Sequence, residues 1–159
     1  MPAISRILVP VDFSPSARAA LEYASFLAGR FGAFLDVLYV AEPPGYVGPD
    51  TLALLPVSGQ PGRGQARGDV SREVEGILAR AGARPAHVSV RVESGEPSDT
   101  ILSASRDGGA DLIVMGTHGR TGLSRLLIGS VAEAVLRRAT CPVLTIRVAS
   151  KTPREVVPL

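Results

Sequence analysis

The sequence contains one cysteine, one lysine and no tryptophan among its 159 residues. The single thiol, Cys141, excludes an internal disulfide and any zinc site built from several cysteines, so we expect a reducing compartment such as the cytoplasm. The only lysine, Lys151, stands near the end of the sequence. P-loop proteins, protein kinases and Schiff-base enzymes each need a lysine inside their sites. These three classes are therefore excluded.

Long apolar runs and aromatic side chains are also scarce. No run of about 18 uncharged apolar residues is present, so we expect no membrane-spanning helix, and the first residues lack the apolar core of a signal peptide. Aromatic residues make up 4% of the chain and the net charge is +2, whereas nucleic-acid binding needs a basic surface with stacking rings. We therefore expect no binding to membranes or nucleic acids. The length of the chain predicts one domain, over 1–148, followed by a flexible tail over 149–159.

Short apolar segments alternate with segments of helical periodicity along the chain. The apolar segments predict five strands, at 4–11, 33–41, 87–93, 111–116 and 143–148. The periodic segments between them predict helices at 15–31, 69–81, about 97–107 and 130–138. Strands and helices that alternate in this way form a parallel sheet with helices on both faces. The predicted fold class is therefore α/β.

Local signals define the first helix and the longest loop. Ser14 as N-cap followed by Pro15 is typical of a helix start, and Gly32 is typical of a helix end. The segment 42–68 is rich in glycine and proline and predicts a loop. Such a long loop is unusual in a compact domain, so we expect it to be either functional or mobile.

The loop after the fourth strand carries a glycine motif, G-x2-G-x9-G-[ST]. Its four positions are Gly116, Gly119, Gly129 and Ser130. The first two glycines let main-chain N–H groups converge on an anion, and a helix that begins at the last two residues offers a second anion site. Parallel sheets bind ligands at these carboxyl ends, where the winding reverses. The motif therefore predicts a site for a chain of phosphates.

These features resemble those of the universal stress protein family. The chain has a PVDFS end to its first strand, the glycine motif after its fourth strand, and a CPVL segment at its fifth strand. The resemblance covers about residues 3–148, and the glycine motif is that of the ATP-binding branch of the family. It implies a five-stranded parallel sheet of order 3-2-1-4-5, a Rossmann-like nucleotide-binding sandwich, with ATP and a divalent metal such as Mg2+ where the winding reverses.

The resemblance also implies contacts for individual residues. Val11 and Asp12 would hold adenine and ribose, and Val40 would line the adenine pocket. The residues that would surround the ribose and phosphates are Met115, Gly116, His118, Gly119, Arg120, Gly129, Ser130 and Val131. No catalytic residue and no protein ligand for the metal is assigned. His87 and Cys141 are expected to be structural, as an exposed residue at a strand start and a small buried thiol.

The fifth strand predicts a homodimer. Its segment, Val143–Val148, is apolar and is expected at an edge of the sheet, where unpaired main-chain groups favour association. The resemblance implies the same contact, because members of the family commonly pair through this strand.

Three functions are compatible with the pattern. The first is an ATP-sensing regulatory module whose surface is read by partners in the stress response. The second is a slow ATP-hydrolysing or phosphate-transferring enzyme, for which only His118 and Asp12 are candidate groups. The third is a nucleotide-free interaction protein. Dinucleotide dehydrogenases, ATP pyrophosphatases and class I tRNA synthetases are excluded, because the turn after the first strand contains neither their glycines nor a HIGH-type signature.

Overall fold

The five strands form one parallel sheet in a computed structural model that describes residues 3–41, 63–82, 85–117 and 128–148. The strands are β1 (Arg6–Val11), β2 (Phe34–Ala41), β3 (Val88–Ser94), β4 (Leu112–Gly116) and β5 (Val143–Ile146). Their order is β3-β2-β1-β4-β5, and each pairing is parallel. The predicted strands and their order are confirmed, with ends that differ by one or two residues.

The sheet is covered by two layers of helices because its central strands are apolar on both sides. One apolar cluster joins the sheet to α1 (Pro15–Phe31) and α2 (Arg63–Ala81), and its members include Ile7, Val9, Leu21 and Val74. The other joins the opposite face to α3 (Pro97–Asp107) and α4 (Ser130–Arg138), through Leu8, Ile113 and Val135 among others. The predicted α/β fold with helices on both faces is therefore confirmed.

The helix after β1 and the helix after β4 lie on opposite faces of the sheet. Because β1 and β4 are neighbours, the winding of the chain reverses between them. Ligand sites in folds of this kind lie at such a reversal, beyond the carboxyl ends of the strands. The fold therefore brings the starts of the two predicted site loops to the same edge of the sheet.

The start of the second helix was predicted wrongly. The helix α2 begins at Arg63, six residues before the predicted start at Asp69. Gly64 and Gly68 made this segment similar to the preceding loop, but a glycine inside a helix costs only about 1 kcal/mol relative to alanine. The rest of the predicted loop, 42–62, and the predicted tail over 149–159 lie outside the described residues. No helix within the described ranges is long and apolar enough to cross a membrane.

Candidate functional site

A gap opens between β1 and β4 toward their carboxyl ends. The register pairs Ile7 and Leu8 with Leu112 and Ile113 and extends no further, although β1 remains paired with β2 as far as Val11. The main-chain oxygen of Arg6 accepts a hydrogen bond from Asp111 on the β4 side, so alternate residues up to Pro10 face β4 as well. Pro10 has no N–H to donate there, which gives a physical reason for the early end of this pairing.

Asp12 follows β1 directly and is held by the turn that begins α1. Its Oδ1 accepts a hydrogen bond from the main-chain N–H of Ser14 at 3.0 Å. Ser14 is the N-cap, as predicted, and its Oγ accepts a hydrogen bond from the N–H of Ala17 at 3.3 Å. Pro15 occupies the first turn. The carboxylate of Asp12 is therefore fixed at the mouth of the gap, with Oδ2 without a partner among the described residues.

The apolar residues predicted to touch the ligand lie on both faces of the sheet. Val11 is only 5% exposed and lies in the cluster under α1 and α2, so a ligand at the gap can meet only its main chain. Met115 is equally buried, but on the opposite face. Val40 and Val131 are partly exposed and pack on that same second cluster. These two side chains therefore lie on the face of the sheet that α3 and α4 cover.

Gly116 ends β4 at a place where no side chain fits. A Cβ at this position would lie 2.5 Å from Oγ of Ser16 and 2.8 Å from the main-chain nitrogen of Ala17. Those atoms belong to the first turn of α1, which therefore rests directly on the end of β4. The sequence predicted that Gly116 leaves room for an anion, but the atoms that meet its missing side chain are protein atoms. The close packing of α1 on the end of β4 therefore explains why a glycine stands at position 116.

The residues on either side of the glycine-motif loop, Thr117 and Gly129, lie next to each other. The N–H of Gly129 donates to the main-chain oxygen of Thr117 at 2.7 Å. Thr117 is itself anchored, because its N–H donates to the oxygen of Ile146 at 3.1 Å on β5. The end of β4 and the start of α4 are therefore joined by hydrogen bonds, although eleven residues separate Thr117 from Gly129 in the sequence.

The first turn of α4 offers main-chain donors. Gly129 is the N-cap, with an extended conformation (φ −60°, ψ 150°) and no side-chain hydrogen bond to the helix. The helix begins at Ser130, which is exposed, and continues with Val131, which is half-buried. The first N–H groups of a helix have no partner inside it, and the helix dipole makes this end attractive to anions. The start of α4 can therefore bind a phosphate beside the end of β4.

Three predicted site residues, His118, Gly119 and Arg120, lie outside the described residues. Their assigned contacts therefore stay predictions. Within the described ranges no group of three or more His, Cys, Asp or Glu side chains could hold a metal ion. Oxygen donors for Mg2+ would come mainly from phosphates, as is usual for this cation. Asp12 and Ser130 are the oxygen-bearing side chains among the predicted site residues.

The two residues predicted to be structural differ in their environments. His87 is exposed at the start of β3, as expected, and its ring stacks on Phe34 with centroids 4.6 Å apart. Cys141 is only partly buried rather than a buried thiol, and its Sγ lies 3.6 Å from Oγ of Ser105. Neither residue lies at the carboxyl ends of β1 and β4.

A separate cavity of about 830 Å³ lies between α2 and β3 and is lined by Arg67, Val74, Leu78, Val88 and Val90 among others. This cavity is at the β3 edge of the sheet, two strands away from the gap between β1 and β4. It holds none of the residues predicted from the motif. We therefore place the candidate site at the gap and leave this cavity outside it.

The turn after β1 also contains residues that sequence reasoning missed. Phe13 has a positive φ of 61°, which is rare for a residue with a side chain. Its ring stacks on Tyr39 of β2 with centroids 5.8 Å apart, and its main-chain oxygen accepts a hydrogen bond from Nε of Arg18 at 3.0 Å. The sequence carries no signal for this conformation, because phenylalanine does not favour it. Pro10, in contrast, did carry a signal in the sequence, because a proline inside a central strand is unusual.

Comparison with known proteins identifies the family. The sequence profile of the universal stress protein family matches residues 3–147. The chain belongs to this family. It is 32% identical to universal stress protein MJ0531 of Methanocaldococcus jannaschii, over 89% of this chain and 81% of the relative. It is also 32% identical to universal stress protein YxiE of Bacillus subtilis, over 90% of this chain and 99% of the relative. The resemblance stated from the motifs is therefore confirmed.

Solved structures share the fold. The universal stress protein UspA from Lactobacillus plantarum matches with a TM-score of 0.73 and 28% identity, over 92% of this chain and all of that one. A universal stress protein solved in complex with cAMP matches at 0.66 and 24% identity, over 91% and 98% of the two chains. One from Archaeoglobus fulgidus in complex with dAMP matches at 0.62 and 23% identity, over 91% and 99%. At 24% and 23% identity, the similarity to these last two structures shows a shared fold.

Proposed function

We propose that this universal stress protein binds ATP at the carboxyl ends of β1 and β4 and acts as a nucleotide-sensing regulatory module in the stress response. The observation that supports the proposal most is the hydrogen bond from Gly129 to Thr117, which places the open start of α4 beside the end of β4. The glycine turn predicted after β4 would add a second source of main-chain N–H groups at the same site, which suits a chain of phosphates. Structural neighbours solved with cAMP and dAMP are consistent with an adenine nucleotide.

The proposed contacts are assigned in turn to the adenine, the ribose and the phosphates of the nucleotide. Val40 and the main chain of Val11 would contact adenine, while the carboxylate of Asp12 would accept hydrogen bonds from ribose hydroxyls. Met115, Gly116, His118, Gly119 and Arg120 would continue along the ribose and phosphates. Gly129, Ser130 and Val131 would bind the phosphates through the start of α4. ATP with Mg2+ would bring the oxygen ligands that the metal prefers, and the hydroxyl of Ser130 fits as an additional one.

ATP is expected to raise the melting temperature of the protein. At a concentration about 100 times Kd, a ligand that binds only the folded state adds about 2.7 kcal/mol to the free energy of unfolding. For a chain of this length that corresponds to a rise of roughly 5–10 °C. Differential scanning fluorimetry with ATP and Mg2+ measures the shift, and inorganic sulfate serves as the control for nonspecific anion binding. An unchanged melting temperature at millimolar ATP would favour the nucleotide-free interaction protein.

A sensing role and an enzymatic role differ in turnover. Sensing needs ATP to remain bound long enough for its presence to be read, so we expect little phosphate release at saturating ATP and Mg2+. Brisk hydrolysis that His118→Ala abolishes would instead support the enzyme.

The protein is also proposed to form a homodimer through the segment Val143–Val148, in a reducing compartment such as the cytoplasm. β5 lies at the edge of the sheet, so one side of its main chain is unpaired within the described part of the chain. Light scattering at micromolar concentration is expected to give twice the chain mass of 16.5 kDa. Val148→Lys should lower the dimer fraction, whereas Val88→Lys, at the opposite edge, should not. A monomer mass for the unaltered protein would contradict the proposal.

A further inference from the structure

The direction of the Asp12 carboxylate depends on the conformation of Phe13. The hydrogen bond from the N–H of Ser14 to Oδ1 of Asp12 spans this residue. Phe13 has φ 61°, and it is the only non-glycine residue with a positive φ in the described ranges. Side chains disfavour this region, so such a conformation persists only where the surroundings hold it.

Arg18 holds Phe13 through both its main chain and its ring. Nε of Arg18 donates to the main-chain oxygen of Phe13 at 3.0 Å, and the guanidinium lies over the ring, 5.8 Å from its centroid. The ring also stacks on Tyr39 of β2, with 22° between the ring planes. The aromatic ring and the carbonyl group are therefore both fixed, which leaves the main chain of Phe13 little freedom to change φ.

Arg18 is itself fixed by the neighbouring helix. Its Nη1 forms an ion pair with Oε1 of Glu73 on α2. Two of its donors are therefore used at once, one toward Phe13 and one toward Glu73, and the rigid geometry of the guanidinium fixes their relative positions. A chain of contacts thus runs from α2 through Arg18 and Phe13 to the carboxylate of Asp12.

We propose that Arg18, supported by Glu73, is a positioning residue for ribose recognition. It keeps Phe13 in the left-handed conformation and thereby directs Asp12 at the gap between β1 and β4. Arg18 does not itself contact the nucleotide in this arrangement. This inference rests on the proposed ATP site, since it names the residues that orient one of its contacts.

A mutant cycle with Asp12 tests whether Arg18 acts through that carboxylate. Isothermal titration calorimetry would give the Kd for ATP of the unaltered protein, R18A, D12A and the double variant. R18A is expected to weaken binding about 10-fold, a size typical of a lost charge-assisted hydrogen bond. The double variant should bind no more weakly than D12A, because Arg18 then has nothing left to direct. R30A, an exposed arginine on the same helix, is the matched control and should bind within about twofold of the unaltered protein.

Substitutions of Phe13 test the conformation separately from the ring. F13A and F13G both remove the aromatic contacts, but glycine adopts positive φ without steric cost. F13G is therefore expected to bind ATP roughly fivefold more tightly than F13A, in line with the cost of a left-handed residue with a Cβ. Equal affinities would show that only the ring matters and would contradict the proposal.

The possible failures can be told apart. If the unaltered protein does not bind ATP, the proposed function fails and this inference fails with it. If it binds but R18A equals R30A, or the double variant loses the product of the two single effects, only the positioning role is overturned. Melting temperatures of all the variants show whether a loss of affinity reflects unfolding.

Discussion

Gly119→Val is expected to weaken ATP binding about 100-fold while leaving the free energy of unfolding unchanged. In the proposed site, Gly119 would let main-chain N–H groups approach the phosphates, and a β-branched side chain would occupy that space. Losing two hydrogen bonds to a charged group is sufficient for an effect of this size. Titration calorimetry measures the affinity, and chemical denaturation measures the stability.

The chain offers a matched control for this substitution in the same segment. Gly122 lies three residues further on and is not one of the motif glycines. Gly122→Val makes the same chemical change, so we expect it to bind ATP within about threefold of the unaltered protein. If Gly119→Val binds ATP as tightly as Gly122→Val does, the motif loop is not the phosphate-binding element.

Gly116→Ala, unlike Gly119→Val, is expected to lower the free energy of unfolding, by about 1–3 kcal/mol. The added Cβ would lie 2.8 Å from the main-chain nitrogen of Ala17 and from the carbonyl carbon of Ser16. These are main-chain atoms at the start of α1, so the helix itself has to shift. Urea denaturation monitored by circular dichroism measures the change in the free energy of unfolding.

Gly29→Ala is the control for this second substitution. Gly29 lies within α1, and a Cβ there would meet no atom within 4 Å. Alanine is preferred over glycine inside a helix by about 0.5–1 kcal/mol, so this variant should be slightly more stable than the unaltered protein. If Gly116→Ala unfolds at the same urea concentration as the unaltered protein, the close contact between α1 and the end of β4 is wrong.

Local patterns in the sequence were sufficient for most of the fold. Ser14 and Pro15 marked the start of α1 because capping chemistry acts within a few residues, and apolar periodicity located all five strands. The strand order came from the family resemblance, since no local pattern specifies which strands are neighbours. The start of α2 was missed because Gly64 and Gly68 resemble loop residues, whereas a helix tolerates them at moderate cost.

The site was less accessible to sequence reasoning because its geometry depends on distant contacts. Gly116 stood out in the sequence as a motif glycine, but the atoms that exclude its side chain belong to Ser16 and Ala17, a hundred residues earlier. The positive φ of Phe13 depends on Arg18 and Tyr39, which reach it from a helix and from another strand. Alternation along a strand, in contrast, places Val11 and Val40 on opposite faces once the register is known, because Val11 pairs with Tyr39, the residue before Val40.

Main-chain amide shifts in an NMR titration test the central claim most directly. Protein labelled with 15N would be titrated with ATP and, separately, with adenosine, which lacks phosphates. ATP is expected to shift the amides of Gly119, Ser130 and Val131 strongly, and adenosine should leave them nearly unchanged, because these N–H groups are proposed to bind phosphate. If ATP and adenosine shift these amides equally, or if ATP shifts only residues around the cavity between α2 and β3, the proposed phosphate site is contradicted.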